Sequence, residues 1–144
     1  MSSFYGNNGG GGEGGSTEIE DSFVTRTLSG EYTNDRVASI GSSAFYCCSN
    51  LTSVSFQKAK SIGDWAFVNC YSLTTASFPE ATSIGNAAFQ YCSSLTTISF
   101  PEATTIYASA FQGCDSLTTI SFPEVLSIGN FAFRNCSNLT LVSF

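Results

Sequence analysis

The chain contains no histidine, and its five basic residues, Arg26, Arg36, Lys58, Lys60 and Arg134, are scattered over 144 positions. Without histidine, the usual zinc ligand sets and the usual base for a serine or cysteine nucleophile are missing. No pair of carboxylates is spaced for acid–base work. No catalytic residue is therefore assigned, and neither a metal nor a cofactor is expected. A net charge of −6 with unclustered Lys and Arg argues against nucleic acid and against anionic membrane surfaces. No apolar run approaches the roughly 18 residues of a membrane span, so membrane insertion is not expected. The first residues offer neither a basic start nor an apolar segment, so no secretory signal is expected. Proline is scarce, and its three copies, Pro79, Pro101 and Pro123, are evenly spaced.

What the chain does have is aromatic side chains (13 Phe, 6 Tyr and 1 Trp) and a strict register. Ile40, Ile62, Ile84, Ile106 and Ile128 recur every 22 residues, as do Phe45, Phe67, Phe89, Phe111 and Phe133. Cys48, Cys70, Cys92, Cys114 and Cys136 keep the same interval, as do Leu51, Leu73, Leu95, Leu117 and Leu139. Phe56, Phe78, Phe100, Phe122 and Phe144 complete the set. A period of roughly 20–29 residues with this apolar spacing predicts a leucine-rich-repeat solenoid, one supersecondary unit stacked on copies of itself.

Within a coil the wording is L-x-x-(V/I/A)-x-F-x-x-A-x-x-I-x-x-x-A-F-x-x-C. Residues 51–57 alternate apolar and polar, which predicts a short strand with Val54 and Phe56 inward and Ser53 and Ser55 outward. Such strands form a parallel sheet about 4.8 Å apart, and the proline after the strand Phe ends each ladder. In residues 62–70 the apolar positions fall at i, i+4, i+5 and i+8, which fits a short helix or helical turn on the opposite side. The expected fold is thus an α/β solenoid with a parallel β-sheet on one face and short helices or turns on the other.

Three segments follow. Residues 1–16 hold seven of the 13 glycines and read as a flexible arm. Phe4 and Tyr5 at its tip could anchor it to a larger assembly. Residues 17–38 read as an N-terminal cap. Thr17 and Glu20 make a capping box, Glu18, Glu20 and Asp21 fill the first turn, and Gly30 stops a helix carrying Ile19, Phe23 and Leu28. Phe23, Tyr32 and Val37 also precede Phe45, Val54 and Ala59 by 22 residues, so the cap includes a degenerate first coil. Residues 39–144 are the solenoid.

The string S-I-G-x-x-A-F-x-x-C-x-S-L-T-x-(I/V)-S-F-P stands at residues 83–101 as SIGNAAFQYCSSLTTISFP and, less perfectly, at residues 61–79. It resembles the BspA-like family of leucine-rich repeats over residues 39–144 and the lead-in 28–41. The resemblance implies a right-handed solenoid with its strands on the concave side. It also implies a relationship to adhesins and binding proteins of bacterial surfaces, of host-contacting protozoa and of phage or prophage particles. Two departures from the family are expected, the want of an export signal and of the usual C-terminal cap.

Candidate sites follow from the columns. The cysteine column reads as small thiols packing the bend, since each member has two equal neighbours and no unique disulfide partner. Cys47 stands outside it. The outward rows Ser53, Thr75, Thr97, Thr119 and Ser55, Ser77, Ser99, Ser121, Ser143 could match a regular surface such as ice, or simply solvate the sheet. Glu80, Glu102 and Glu124 form an acidic rim. The columns that vary most between copies carry aromatics, and Tyr46, Trp65, Tyr71, Tyr91, Tyr107 and Phe131 are the candidate recognition residues for a protein or glycan surface. Packing between coils is the competing account of them. The last strand leaves Leu139, Leu141, Val142 and Phe144 on an open edge, which predicts a homo-oligomer through paired terminal strands. The functional expectation is a non-catalytic recognition or structural module, either a phage or prophage particle component or a fragment of a bacterial cell-surface adhesin. Localisation stays open between the two.

Overall fold

A computed structural model describes residues 18–19 and 27–144 of the chain. The arm at residues 1–16, with Phe4 and Tyr5, lies outside the described residues, as do Thr17, Glu20, Asp21 and Phe23.

Each coil contributes two strands to a parallel β-solenoid. The Ser-Ile pairs, or their equivalents, are the short strands β1 (Glu18–Ile19), β3 (Ser39–Ile40), β5 (Ser61–Ile62), β7 (Ser83–Ile84), β9 (Thr105–Ile106) and β11 (Ser127–Ile128). They form one six-stranded sheet in that order. The longer strands are β2 (Ser29–Thr33), β4 (Asn50–Ser55), β6 (Thr75–Ser77), β8 (Thr97–Ser99), β10 (Thr119–Ser121) and β12 (Leu141–Ser143). They carry the alternation expected of a half-buried face, and β4, β6 and β8 pair at an offset of 22. This second face is divided into the sheet β2-β4-β6-β8 and the pair β10-β12.

The interior is a set of stacked columns. Phe45, Phe67, Phe89 and Phe111 are fully buried, as are Phe56, Phe78 and Phe122. Rings of the first column lie parallel, 5.0 Å apart between Phe45 and Phe67 and 4.9 Å between Phe67 and Phe89. The two columns meet edge to face, as between Phe67 and Phe78 at 6.1 Å. Offset stacking and edge contacts are the arrangements that aromatic quadrupoles favour. Small residues make the close approach possible, and a Cβ on Gly85 would lie 2.7 Å from the Gly63 carbonyl carbon.

Among the described residues there is no helix: of the short helices or turns expected on the second face it is the turns that form, and the expected capping helix is corrected below. Ile62–Cys70 and its equivalents form successive turns. An α-helix is about 10 Å wide, whereas the coils stack at 4.9–5.5 Å in the Phe45 column. A helix in every coil could not follow that spacing. The turn stretch bonds its neighbour instead, with Ser43, Phe45 and Cys47 N–H donating to the carbonyls of Asp64, Ala66 and Val68 at 2.7–2.9 Å.

Among the described residues the N-terminal capping helix is not found. Glu18–Ile19 is a strand that pairs with Ser39–Ile40, an offset of 21 residues. Gly30 lies inside β2 with φ of 79°, where the register against β4 shifts between Gly30 and Glu31. The extra residue of the β4 side is absorbed there, and Tyr32 then faces Val54 at the offset of 22. At Glu18–Ile19 a ladder to the next coil stands where the first helical turn was expected. Tyr32 and Val37 are buried in the common core, as a degenerate first coil requires.

Candidate recognition site

Two positions in every turn stretch adopt left-handed backbone. The first is Ser43, Trp65, Ala87, Ser109 and Phe131, with φ of 54–63°. The second is Cys47, Asn69, Tyr91, Gly113 and Asn135, with φ of 59–77°. These are two of the columns that vary between copies. An L residue in this region costs about 1–2 kcal/mol relative to right-handed backbone. The conformation is held because it turns each N–H toward the next coil, as with Trp65 to Asn86 at 2.8 Å and Tyr91 to Gln112 at 2.7 Å.

Glycine or asparagine fits such a position with least strain. Trp65, Tyr91 and Phe131 are bulky residues placed where the backbone least favours them. All six candidate aromatics sit on the turn stretch, and their exposure runs from 37% for Tyr46 to 59% for Phe131. Trp65 and Phe131 share a column with the small residues Ala87 and Ser109 between them, about 15 Å apart for three steps of roughly 5 Å. In the register of the stack, Tyr107 flanks this small-residue floor on one side and Tyr91 on the other. Tyr46 and Tyr71 lie in separate columns further along the turn.

Two of these rings are also braced. A Cβ on Gly113 would lie 2.5 Å from Tyr91 Cδ1, so the glycine leaves room for the ring over the next coil. The Arg134 guanidinium stands 5.0 Å from the Phe131 ring centroid. Tyr91 therefore combines packing between coils with an exposed edge, and Trp65 and Phe131 are more open.

The other candidate features divide. The cysteine column is interior, with Cys48, Cys70, Cys92 and Cys114 buried and none of the six cysteines joined in a disulfide. The hydroxyl rows run along the strand face but are interrupted between Ser99 and Ser121, where β8 and β10 do not pair. In the acidic rim, Glu80 accepts from Lys60 Nζ at 2.6 Å, which holds its carboxyl below the usual range. That pair is exposed and contributes little to stability. Among the described residues no three His, Cys, Asp or Glu side chains come together as a metal site. At the terminal coil, Leu141, Val142 and Phe144 are exposed, and Leu139 packs partly against the core.

The strand-and-turn wording matches the model of the BspA-type leucine-rich-repeat region, in six copies over residues 18–144. The chain belongs to this family. A leucine-rich-repeat protein from Bacteroides ovatus superposes with a TM-score of 0.72 at 29% identity, covering 83% of this chain and 35% of that one. The Treponema pallidum (T. pallidum) leucine-rich-repeat protein gives 0.75 at 32% identity, covering 78% and 57%. A leucine-rich cell surface protein from Faecalibacterium prausnitzii gives 0.58 at 34% identity, covering 81% and 39%. The BspA-type chain described here thus spans between about a third and little more than half of these structures. No curated protein matches it.

Sequence reasoning placed the aromatics on a varying face but missed the left-handed backbone beneath them. A signal was present, since Asn69, Gly113 and Asn135 in one column are the residue types that adopt it most readily. The column of Trp65 and Phe131 carries no such signal. The division between β8 and β10 was also missed.

Proposed function

We infer that the chain is a non-catalytic recognition module of a bacterial surface protein, engaging a protein or glycan surface through the aromatic turn face. The observation that carries this reading is that Trp65, Tyr91 and Phe131 are held exposed on left-handed backbone. Residues in sparsely populated backbone regions persist where the surroundings over-determine them, and they cluster at functional sites. Rigid, amphipathic rings that are already ordered lose little entropy on binding. Sugar rings and the apolar patches of proteins both suit the small-residue floor between Trp65 and Phe131. The cell-surface description of the Faecalibacterium prausnitzii structure supports the bacterial-surface setting, and no observation favours a phage particle.

The test replaces Trp65, Tyr91 and Phe131 by glycine, singly and together. At Trp65 and Phe131 glycine removes the ring and relaxes the backbone at once, so stability should hold or rise by up to about 1 kcal/mol per site, whereas Tyr91→Gly also gives up the ring's packing over Gly113. Binding to a bacterial glycan array, or to intact bacterial cells, should fall at least roughly tenfold. If instead the melting temperature drops and binding is unchanged, the rings serve packing and the reading is wrong.

A further inference from the structure

The strand face is split at one place. Phe56, Phe78 and Phe122 N–H donate to Ser77, Ser99 and Ser143 carbonyls at 3.0–3.1 Å, but among the described residues Phe100 N–H has no acceptor. Thr74, Thr96 and Thr140 each donate both N–H and Oγ1 to the carbonyl 22 residues earlier. Thr118 makes neither bond to Thr96 among the described residues. The Phe100–Phe122 ring spacing widens to 6.2 Å, against 5.3 Å for Phe78–Phe100. The other two faces stay closed, with Tyr91 N–H on Gln112 O at 2.7 Å and Leu126 N–H on Thr104 O at 2.8 Å. The opening is therefore a wedge between two coils, hinged on ladders that remain intact.

A groove of about 460 Å³ occupies the wedge, within the range of ligand pockets, roughly 300–1,000 Å³. Ile98, Phe100 and Ile120 line it on the apolar side together with Ser99, Thr119 and Ser121, and the lining continues across β10 to the exposed Leu141 and Ser143 of β12. Ile98 is only half-buried, whereas its column mates Val54, Ala76 and Ile120 are buried. No charged side chain lines the groove. Phe100 itself is 2% exposed, so its unpartnered N–H sits in a nearly dry position, an arrangement that favours an incoming acceptor.

We propose that the split between β8 and β10 is a docking site for an extended, uncharged polypeptide segment. The two lips are parallel strand edges, presenting donors and acceptors at the repeat of a peptide backbone, and one added strand can pair with both. This is recognition by β-augmentation, in which the main chain supplies affinity and alternate side chains enter the floor. A bound segment meets Phe100 N–H with a carbonyl, covers Ile98, and widens the mouth toward the roughly 9.6 Å that three successive strands span. The site is separate from the aromatic turn face and does not depend on it.

Amide hydrogen exchange of the full chain tests this, with a capped heptapeptide of the wording of residues 116–122, SLTTISF, as probe. In the free protein the Phe100 amide should exchange at least roughly tenfold faster than those of Phe78 and Phe122. The peptide should slow Phe100 at least roughly tenfold, and the same peptide N-methylated at its central threonine should not. Phe100 exchanging as slowly as Phe78 before any addition would overturn the proposal, because the groove would then be closed in solution. Equal protection by the N-methylated peptide would overturn it too, since main-chain pairing would not be involved. Protection confined to Leu141–Ser143 would place the peptide on the terminal edge and overturn it. So would protection of Phe100 by a chitin tetrasaccharide but not by the peptide.

Discussion

The thiol of each interior cysteine does more than fill space. Cys70, Cys92 and Cys114 Sγ donate to the carbonyls of Phe45, Phe67 and Phe89 at 3.1 Å, one coil back. Each of those carbonyls already accepts a turn N–H from its own coil, as Phe45 does from Cys48 at 3.2 Å. The thiol thus satisfies a second lone pair that would otherwise be buried. Burial pushes the thiols of Cys70, Cys92 and Cys114 up from the ordinary value, with smaller contributions from neighbouring cysteines. An unfolded thiol titrates near about 8.5, so above that pH the unfolded state releases protons that the native state keeps. Stability should be level below that pH and should fall as pH rises through it, by up to about 1.4 kcal/mol per pH unit for each buried thiol. Urea titrations between neutral pH and pH 10 will show this slope; a flat profile would mean that the column is wet. The thiols' place in the bend was legible from their 22-residue interval, but the donor role was not. It depends on a carbonyl from the previous coil.

At the scale of the element, the strand was easier to read than the turn. Alternation in residues 51–57 has one structural meaning, whereas the spacing in residues 62–70 suits either a helix or a chain of turns. What decides between them is the distance to the next coil, a property of the stack and not of the segment. The split between β8 and β10 has a similar origin. Along the inward column the residues run Tyr32, Val54, Ala76, Ile98, Ile120 and Val142. The ladder fails where two isoleucines adjoin, and elsewhere each isoleucine has a smaller neighbour. Ile98→Ala should therefore close the ladder, giving the Phe100 amide the protection of Phe78. Because Ile98 is only half-buried, the loss of burial should stay below about 2 kcal/mol, less than a fully buried position costs. An unchanged, fast Phe100 amide in that variant would show that the isoleucine contact is not what parts the strands.

For the whole molecule, cohesion is between neighbours only. Phe89 stacks on Phe67 at 4.9 Å and on Phe111 at 5.2 Å with no exposure to solvent. Phe89→Ala should cost about 3–5 kcal/mol, and in a one-dimensional stack it should divide denaturant unfolding into two transitions instead of one. A single transition merely shifted to lower urea would mean that coupling between coils runs through the ladders. At the far end, β12 pairs with β10 on one side, Phe144 next to it is 62% exposed, and Leu126 in the bend before β11 is 85% exposed. In sedimentation, the 144-residue chain should associate with rising concentration and Phe144→Lys should weaken that association; a wild-type chain that stays monomeric throughout excludes it. The long-range order of this molecule was legible because its interior columns are written repeatedly. The end face and the groove each occur once, and a feature that occurs once has no period to reveal it.

The ladders on all three faces run along the stack, while the covalent chain runs around it. A load applied to the two termini therefore meets the bonds between coils one layer at a time, not all together in shear. Under tension the protein should pay out in steps, each freeing one coil of 22 residues, or about 75 Å of contour at roughly 3.4 Å per residue. A stack built this way yields gradually, coil by coil, and does not fail in a single event.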